Sequence, residues 1–403
     1  MELSSLFEDF RAMCNDAIRI AAEEKPENRF KLIEAASPKL KQYNLHSHYL
    51  LSACEVAYSI YRNKHPKSTP YLKRAFLKLD NQSYRLNHIL LRIPFHAVGK
   101  GHHSDYILIV LRSTRHGVSF VDDASLKRGS VTVTPSSVVI AFSKEVEPFE
   151  PSGFMGVDIN ERNATAVATD GWARRFDELA EVAEIKERYK EIRAGVSRKT
   201  RGDRRIARRL LSRCGTREKN RTVSRIHKVT KTIVDCAREH RLGVKMEKLK
   251  GIRKRYRKGN GQGGQFRGRM NSWVYGETQR QIDYKSEWVG VPHWYVNPRG
   301  TSSYCLCGSR VVRLADRKLY CPKCDKIWDR DDLASRNIMA CAVPQARPSR
   351  RSDEVERGGD CSNPLSRWRE GNTLVDATGR VPRTKETGEK RGTGDEPTSA
   401  CQS

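Results

Sequence analysis

A chain of 403 residues has room for about two or three domains. Its 76 Lys and Arg against 48 acids leave a net charge of +28, which would repel itself without a polyanion and points to nucleic acid as partner. No apolar run reaches membrane-spanning length and no basic-then-apolar leader opens the chain, so no membrane span or signal peptide is expected. The 11 cysteines are an odd number and scattered, which argues against a disulfide framework and for a reducing compartment; with nucleic acid as partner, a cytoplasmic, nucleoid-associated setting is expected.

Residues 1–79 read as helices. Leu6, Phe7, Phe10, Met13, Cys14 and Ile18 recur at helical spacing, and so do Tyr49, Leu50, Ala53, Ala57, Ile60 and Tyr61. Residues 80–150 change period. The runs 106–111, 117–121, 131–134 and 137–142 are β-rich and separated by turn residues, which predicts a small antiparallel barrel or sheet. Pro148, Pro151 and Gly153 make a linker. Three strands are then expected, 154–158, 164–169 and 172–176, with Asp170-Gly171 as a hairpin turn. The first ends on Asp158.

From 177 to 241 the pattern is helical and basic. Between Arg201 and Lys231 there are 12 Lys or Arg and 2 acids, so a helical hairpin with a cationic face is expected to meet phosphates. Arg204, Arg205, Arg208 and Arg209 are its candidate contacts. A strand, 242–247, ends on Glu247. Arg253 to Arg269 has seven Lys or Arg and five Gly, which reads as a mobile loop whose Arg253 and Lys254 hold backbone. Helical periodicity resumes from Asn271, and a strand over 294–296 follows.

Two cysteine pairs, Cys305/Cys307 and Cys321/Cys324, flank a short polar hairpin. Four thiolates can close a tetrahedron around one structural zinc, which would supply folding energy that so short a segment lacks. The plainer alternative is two unrelated thiol pairs. The second knuckle, C-P-K-C, has ribbon spacing; the first, C-L-C-G, is one residue short. After about Val343 core-forming residues fade, and 344–403 is expected to be disordered.

Asp158, Glu247 and one aspartate near 331 each sit at a strand end or helix start. Such acids can share two Mg2+ ions, the arrangement that hydrolyses phosphodiesters. The third acid is open on residue pattern alone: Asp329 lies at the ribbon exit, and Asp332 suits a helix N-cap.

The ordered set GVDINERN, KMEKLKG, NSWVYGETQRQIDYKSEWVGVPHWYVNPRGTSSYC, CPKC and DRDDLASRNI resembles TnpB, the transposon-encoded RNA-guided DNA endonucleases related to type V CRISPR effectors. The resemblance is sharpest from Gly156 to Ile338 and extends less sharply to LFEDFRAMCNDAIRIA and DNQSYRLN near the front. It implies an α+β multidomain protein: a helical recognition lobe (1–79), a wedge-type β-barrel (80–150), and a RuvC-like, ribonuclease-H-like α/β nuclease (154–300 and 329–343). A zinc ribbon (301–328) is inserted in the nuclease, and the disordered tail follows. It further implies Asp158, Glu247 and Asp331 as the catalytic, magnesium-holding triad, with target DNA and a guide RNA copied from the transposon end as partners. Codons of the tail would then be constrained by that RNA. Leu333 and Ser335 stand where the family usually has Asn and Ala. The family usually opens with a further strand, so a truncated copy or an upstream start is expected here. Two other classes compete: a transposase that exchanges strands without RNA, and a decayed, non-catalytic nucleic-acid-binding copy.

Overall fold

The computed structural model describes residues 2–63, 69–95, 105–200 and 202–342, divided into two units that part between Glu145 and Val146. The expected disordered tail, 344–403, lies outside the described residues.

Three helices open the first unit: α1 (Glu2–Glu24), α2 (Arg29–Leu40) and α3 (Ser47–Arg62). The apolar stripe of α1 turns Leu6, Phe10, Met13, Cys14 and Ile18 inward, all buried. Asn28 starts α2 by accepting from the Phe30 and Lys31 amides. On α3 the stripe buries Tyr49, Ala53 and Ala57. Phe10 meets Tyr49 edge-on at 5.8 Å, and the Tyr49 hydroxyl donates to the Pro94 carbonyl at 2.8 Å.

The chain continues through β1 (Leu77–Leu79), β2 (Arg85–Asn87), β3 (Leu90–Pro94), β4 (Tyr106–Val110), α4 (Arg115–Asp122), β5 (Lys127–Thr134) and β6 (Ser137–Ser143). The strands form two antiparallel sheets, β1-β5-β6 and β2-β3-β4. Leu77, Leu79, Leu91, Ile93, Val131 and Val133 point inward and share one core with the helices. The expected barrel is therefore not closed among the described residues, because its strands divide between two sheets. The run Gly117–Val121, expected as strand, lies inside α4 instead. Thr114 caps that helix by accepting from the Gly117 amide at 3.2 Å. So short an apolar run has no period that separates the two states.

The second unit begins with β7 (Gly153–Ile159), β8 (Ala164–Ala168) and β9 (Ala173–Phe176), the antiparallel trio the alternation and the Asp170-Gly171 turn foretell. Then come α5 (Leu179–Lys199), α6 (Arg204–Glu239), β10 (Leu242–Glu247), α7 (Gly264–Ser272), α8 (Tyr275–Val289) and β11 (His293–Val296). The ribbon strands β12 (Val312–Arg313), β13 (Lys318–Cys321) and β14 (Lys326–Asp329) lead directly into α9 (Arg330–Ala340). The main sheet has the order β11-β10-β7-β8-β9, with β10 parallel to both β7 and β11.

Each face of this sheet has its own cover. Met155, Val157, Ile159, Val244 and Met246 pack with Ile226 and Ile233 of α6 and Ile282 of α8. On the other face α9 comes so close to β7 that a Cβ at Gly156 would stand 2.1 Å from the Ser335 carbonyl oxygen. Lys245 reaches from β10 to the end of α9 and donates to the Met339 and Cys341 carbonyls at 2.8 and 2.7 Å. Those carbonyls lack intrahelical donors, so the lysine satisfies them.

The basic hairpin of 177–241 is α5 with α6. Buried Glu218 of α6 clamps it, pairing with Lys186 at 3.0 Å and with Arg193. The stretch 253–269, expected as a mobile loop, instead holds a 3-10 turn over Ile252–Tyr256 and the helix α7. Phe266 packs edge-on against Tyr256 at 5.6 Å, and Arg269 pairs with Glu161 at 3.0 Å. Gly-rich composition hid these contacts because both partners are distant in sequence or separated by the glycines.

Candidate functional site

Asp158 lies near the end of β7 and Glu247 ends β10. Their parallel register pairs Val157 with Met246, so the two acids are the next residues of neighbouring strands and share one face. Asp158 is 8% exposed, and its Oδ2 accepts from Asn160 Nδ2 at 2.8 Å. Burial first, and then the Glu247 charge, push the Asp158 carboxyl up to about 7 against the pull of Asn160. Burial likewise pushes Glu247 up, opposed by the Thr301 hydroxyl, which donates to Oε1 at 2.6 Å.

The pair lines an open cleft of about 890 Å³. Lys250, Arg255, Arg269, Arg317 and Arg330 line it too, with Tyr256, Phe266 and Trp273 among them. The Trp273 indole donates to the Asn160 carbonyl at 2.9 Å, which fastens the turn after Asp158. A cationic wall around a carboxylate floor suits a polyanion that brings its own cations.

Asp329, and not Asp332, is the N-cap of α9: its Oδ1 accepts from the Asp331 and Asp332 amides at 2.8 and 3.2 Å. That cap aims Asp331 inward, where it is 1% exposed. Its oxygens are taken by Arg317 of the ribbon and by Arg175 of β9, the latter at 3.4 Å. Asp158 and Glu247 thus line the cleft, while Asp331 is engaged by two guanidinium groups. Among the described residues the three acids do not form a group whose ligand oxygens all lie within 4.8 Å of one another.

The four cysteines do form such a group. The sulfurs of Cys305, Cys307, Cys321 and Cys324 all lie within 4.8 Å of one another, close enough to hold one metal ion. Both knuckles reverse the chain in the same way. Gly308 at φ +83° and Asp325 at φ +49° each follow the second cysteine of a pair in the left-handed region. The short C-L-C spacing is accommodated because the Gly308 amide donates back to the Cys305 carbonyl at 2.8 Å. Burial opposes ionisation of Cys321, but hydrogen bonds from the Cys324 backbone and the neighbouring thiols outweigh it and hold it down to about 7.

Arg204, Arg205, Arg208 and Arg209 are exposed on the first turns of α6, with no ion pair among the described residues. Arg253 and Lys254 are both exposed, and Arg253 donates to the Trp273 carbonyl at 3.3 Å. Sequence reasoning passed over Asn160, Arg175, Thr301 and Arg317. Asn160 stands two places after Asp158 in GVDINERN, and Thr301 opens the run before the first knuckle, but nothing in their own residue type marks them.

Residues 275–338 match the family model of the Cas12f1-like TNB domain. A TnpB-like protein of Methanocaldococcus jannaschii is 29% identical over 243 residues, spanning 58% of this chain and 86% of that protein. A solved Cas12f1-sgRNA-target DNA complex has a similar fold, with TM-score 0.58 at 13% identity, over 84% of this chain and 83% of that one. Among the described residues no helix is long and apolar enough to cross a membrane. Domain model, relative and fold converge on the resemblance the motifs carry: this chain is similar to a TnpB-like protein and, in its TNB domain and fold, to Cas12f1.

Proposed function

We propose that this chain is a transposon-encoded, RNA-guided DNA endonuclease that hydrolyses phosphodiester bonds with Mg2+. The observation that carries the reading is the Asp158–Glu247 pair, two carboxylates held side by side at the floor of a cationic cleft. Burying like charges together is costly unless a proton or a cation relieves them, which supports a divalent-cation site that these acids would help to hold. Asp158 and Glu247 would hold the metal, with Asp331 as the third acid of a ribonuclease-H-like site. Bound Mg2+ supplies Lewis-acid activation of a water and neutralises charge on the leaving oxygen. Asn160 keeps Asp158 oriented. Arg175 and Arg317 balance the charge of Asp331. Lys250, Arg255 and Arg269 hold phosphates at the mouth.

The cysteine cluster fits zinc. Its Cys307–Cys321 and Cys305–Cys324 sulfur separations are 3.6 and 4.0 Å. They bracket the edge of about 3.8 Å that Zn–S bonds of about 2.3 Å give a regular tetrahedron. The ribbon of 301–328 would then be a zinc-held insert of the nuclease 154–300 and 329–343. The stretch 1–79, helical up to Arg62 and ending in β1, would form a recognition lobe, and the strands of 80–150 would grip guide RNA. Arg204, Arg205, Arg208, Arg209, Arg253 and Lys254 would hold nucleic-acid backbone, leaving sequence to guide–target pairing.

The test is cleavage of a plasmid library with randomised flanks by protein co-expressed with its transposon-end RNA, beside an Asp158→Ala control. Cleavage that needs RNA, Mg2+ and Asp158 is expected. Joining of transposon ends without RNA, or cleavage that survives Asp158→Ala, would overturn the reading.

A further inference from the structure

We propose that Thr301 is a positioning residue for Glu247 and that it ties the cysteine ribbon to the carboxylate cleft. The inference rests on the nuclease reading above and adds a residue to its machinery. Thr301 follows Gly300, whose φ of +89° turns the chain back after β11. Its side chain is 5% exposed, with the hydroxyl facing two acceptors, Glu247 Oε1 at 2.6 Å and the Pro298 carbonyl at 3.3 Å. A hydroxyl has one proton to give, and the shorter, charge-assisted contact takes it. One carboxylate oxygen is thereby fixed, and the Glu247 side chain loses the torsional freedom that would let it turn from Asp158.

Thr301 is itself held from below. Asn337 of α9 is fully buried, and its Nδ2 donates to the Thr301 and Tyr304 carbonyls, both at 2.8 Å. Cys305, the first thiol of the cluster, is the next residue after Tyr304. One buried amide thus pins the loop that carries both the hydroxyl on Glu247 and the first knuckle. Helix α9 supplies this amide and Asp331 together, so the third acid, the ribbon entry and Glu247 form one connected set. Residues that orient metal ligands in this way typically carry about 10–100-fold in metal affinity or activity.

The test uses the full-length protein with its RNA and two substitutions. Thr301→Val keeps the shape and removes the donor; Thr301→Ser keeps the donor. Mn2+ binding is measured by calorimetry, with Asp158→Ala as blank, alongside the metal dependence of guided cleavage. Thr301→Val is expected to weaken Mn2+ binding and slow cleavage by about tenfold or more. Zinc content and RNA binding should stay unchanged, and Thr301→Ser should restore both losses. Valine indistinguishable from wild type, or serine as poor as valine, would overturn the proposal. If wild type binds Mn2+ through Asp158 without cutting DNA, the endonuclease reading fails while the binding arm still decides Thr301. If wild type binds none, both fall together.

Discussion

Lys285 shows at the scale of one residue how this chain buries charge. Its Nζ donates to the His227 carbonyl at 2.8 Å and to the Thr230 hydroxyl at 2.7 Å, tying α8 to α6. Burial pushes its pKa down to about 8 from the ordinary 10.5. Between those values the unfolded chain binds the extra proton, so the contribution of Lys285 to stability rises as pH climbs through that window. We expect Lys285→Met to flatten that rise, measured by urea unfolding at pH 8 and pH 10. An identical pH slope in the two proteins would mean that Lys285 stays charged when folded. Asp158 has one neutral donor, Asn160, and burial with the Glu247 and Asp331 charges outweighs it, an arrangement that makes sense where a cation is to bind.

Among the elements, α9 does the most. It begins at an aspartate cap on the ribbon exit, presents Asp331 inward, sends Asn337 to the ribbon entry, and lies on β7 across Gly156. The sheet can accept a helix so near only where one strand carries no side chain. In Gly156→Ala the new Cβ would meet the Ser335 carbonyl and the Met339 amide at 2.1 and 2.5 Å, both backbone atoms of the helix that cannot swing aside. We expect a loss of about 3 kcal/mol in the unfolding of the second unit, the upper range for overpacking. A urea midpoint unchanged by this substitution would show that α9 shifts without penalty. The same close packing explains why Ser335 suits its place: its hydroxyl donates to the Thr165 carbonyl at 2.9 Å, a bond that alanine cannot make.

The whole molecule is organised by charge. The chain carries a net +28, and the exposed arginines at the start of α6 make no ion pair among the described residues, whereas Arg193 of α5 is committed to Glu218. Replacing Arg204, Arg205, Arg208 and Arg209 by Ala is expected to weaken nucleic-acid binding and to flatten its salt dependence. The slope of log affinity against log salt should fall by about 0.9 for each duplex phosphate that these arginines no longer neutralise. An unchanged slope across a salt titration would assign phosphate binding to the other cations of this chain. The cationic cleft, with its aromatic rings, is left intact by these changes and serves as the internal reference.

Much of this was legible in the residues themselves. Alternation over 153–176 and the Asp-Gly turn are enough for three antiparallel strands, because period and turn chemistry are local. Helical stripes announced α1, α3 and the α5–α6 hairpin for the same reason. The acids Asp158 and Glu247 were visible as strand-terminal carboxylates, and the cysteines as two knuckles. What no local pattern contains is how distant segments meet. The parallel register of β7 and β10, which makes neighbours of two acids 89 positions apart, is set by the sheet as a whole. So is the division of the front strands between two sheets, and the helical state of Gly117–Val121, where a few apolar residues fit either period. The capture of Asp331 by Arg175 and Arg317, and of Glu247 by Thr301, follows from α9 and the ribbon docking on that sheet. Side-chain type supplied the chemistry; packing between elements far apart in the chain decided which groups face each other.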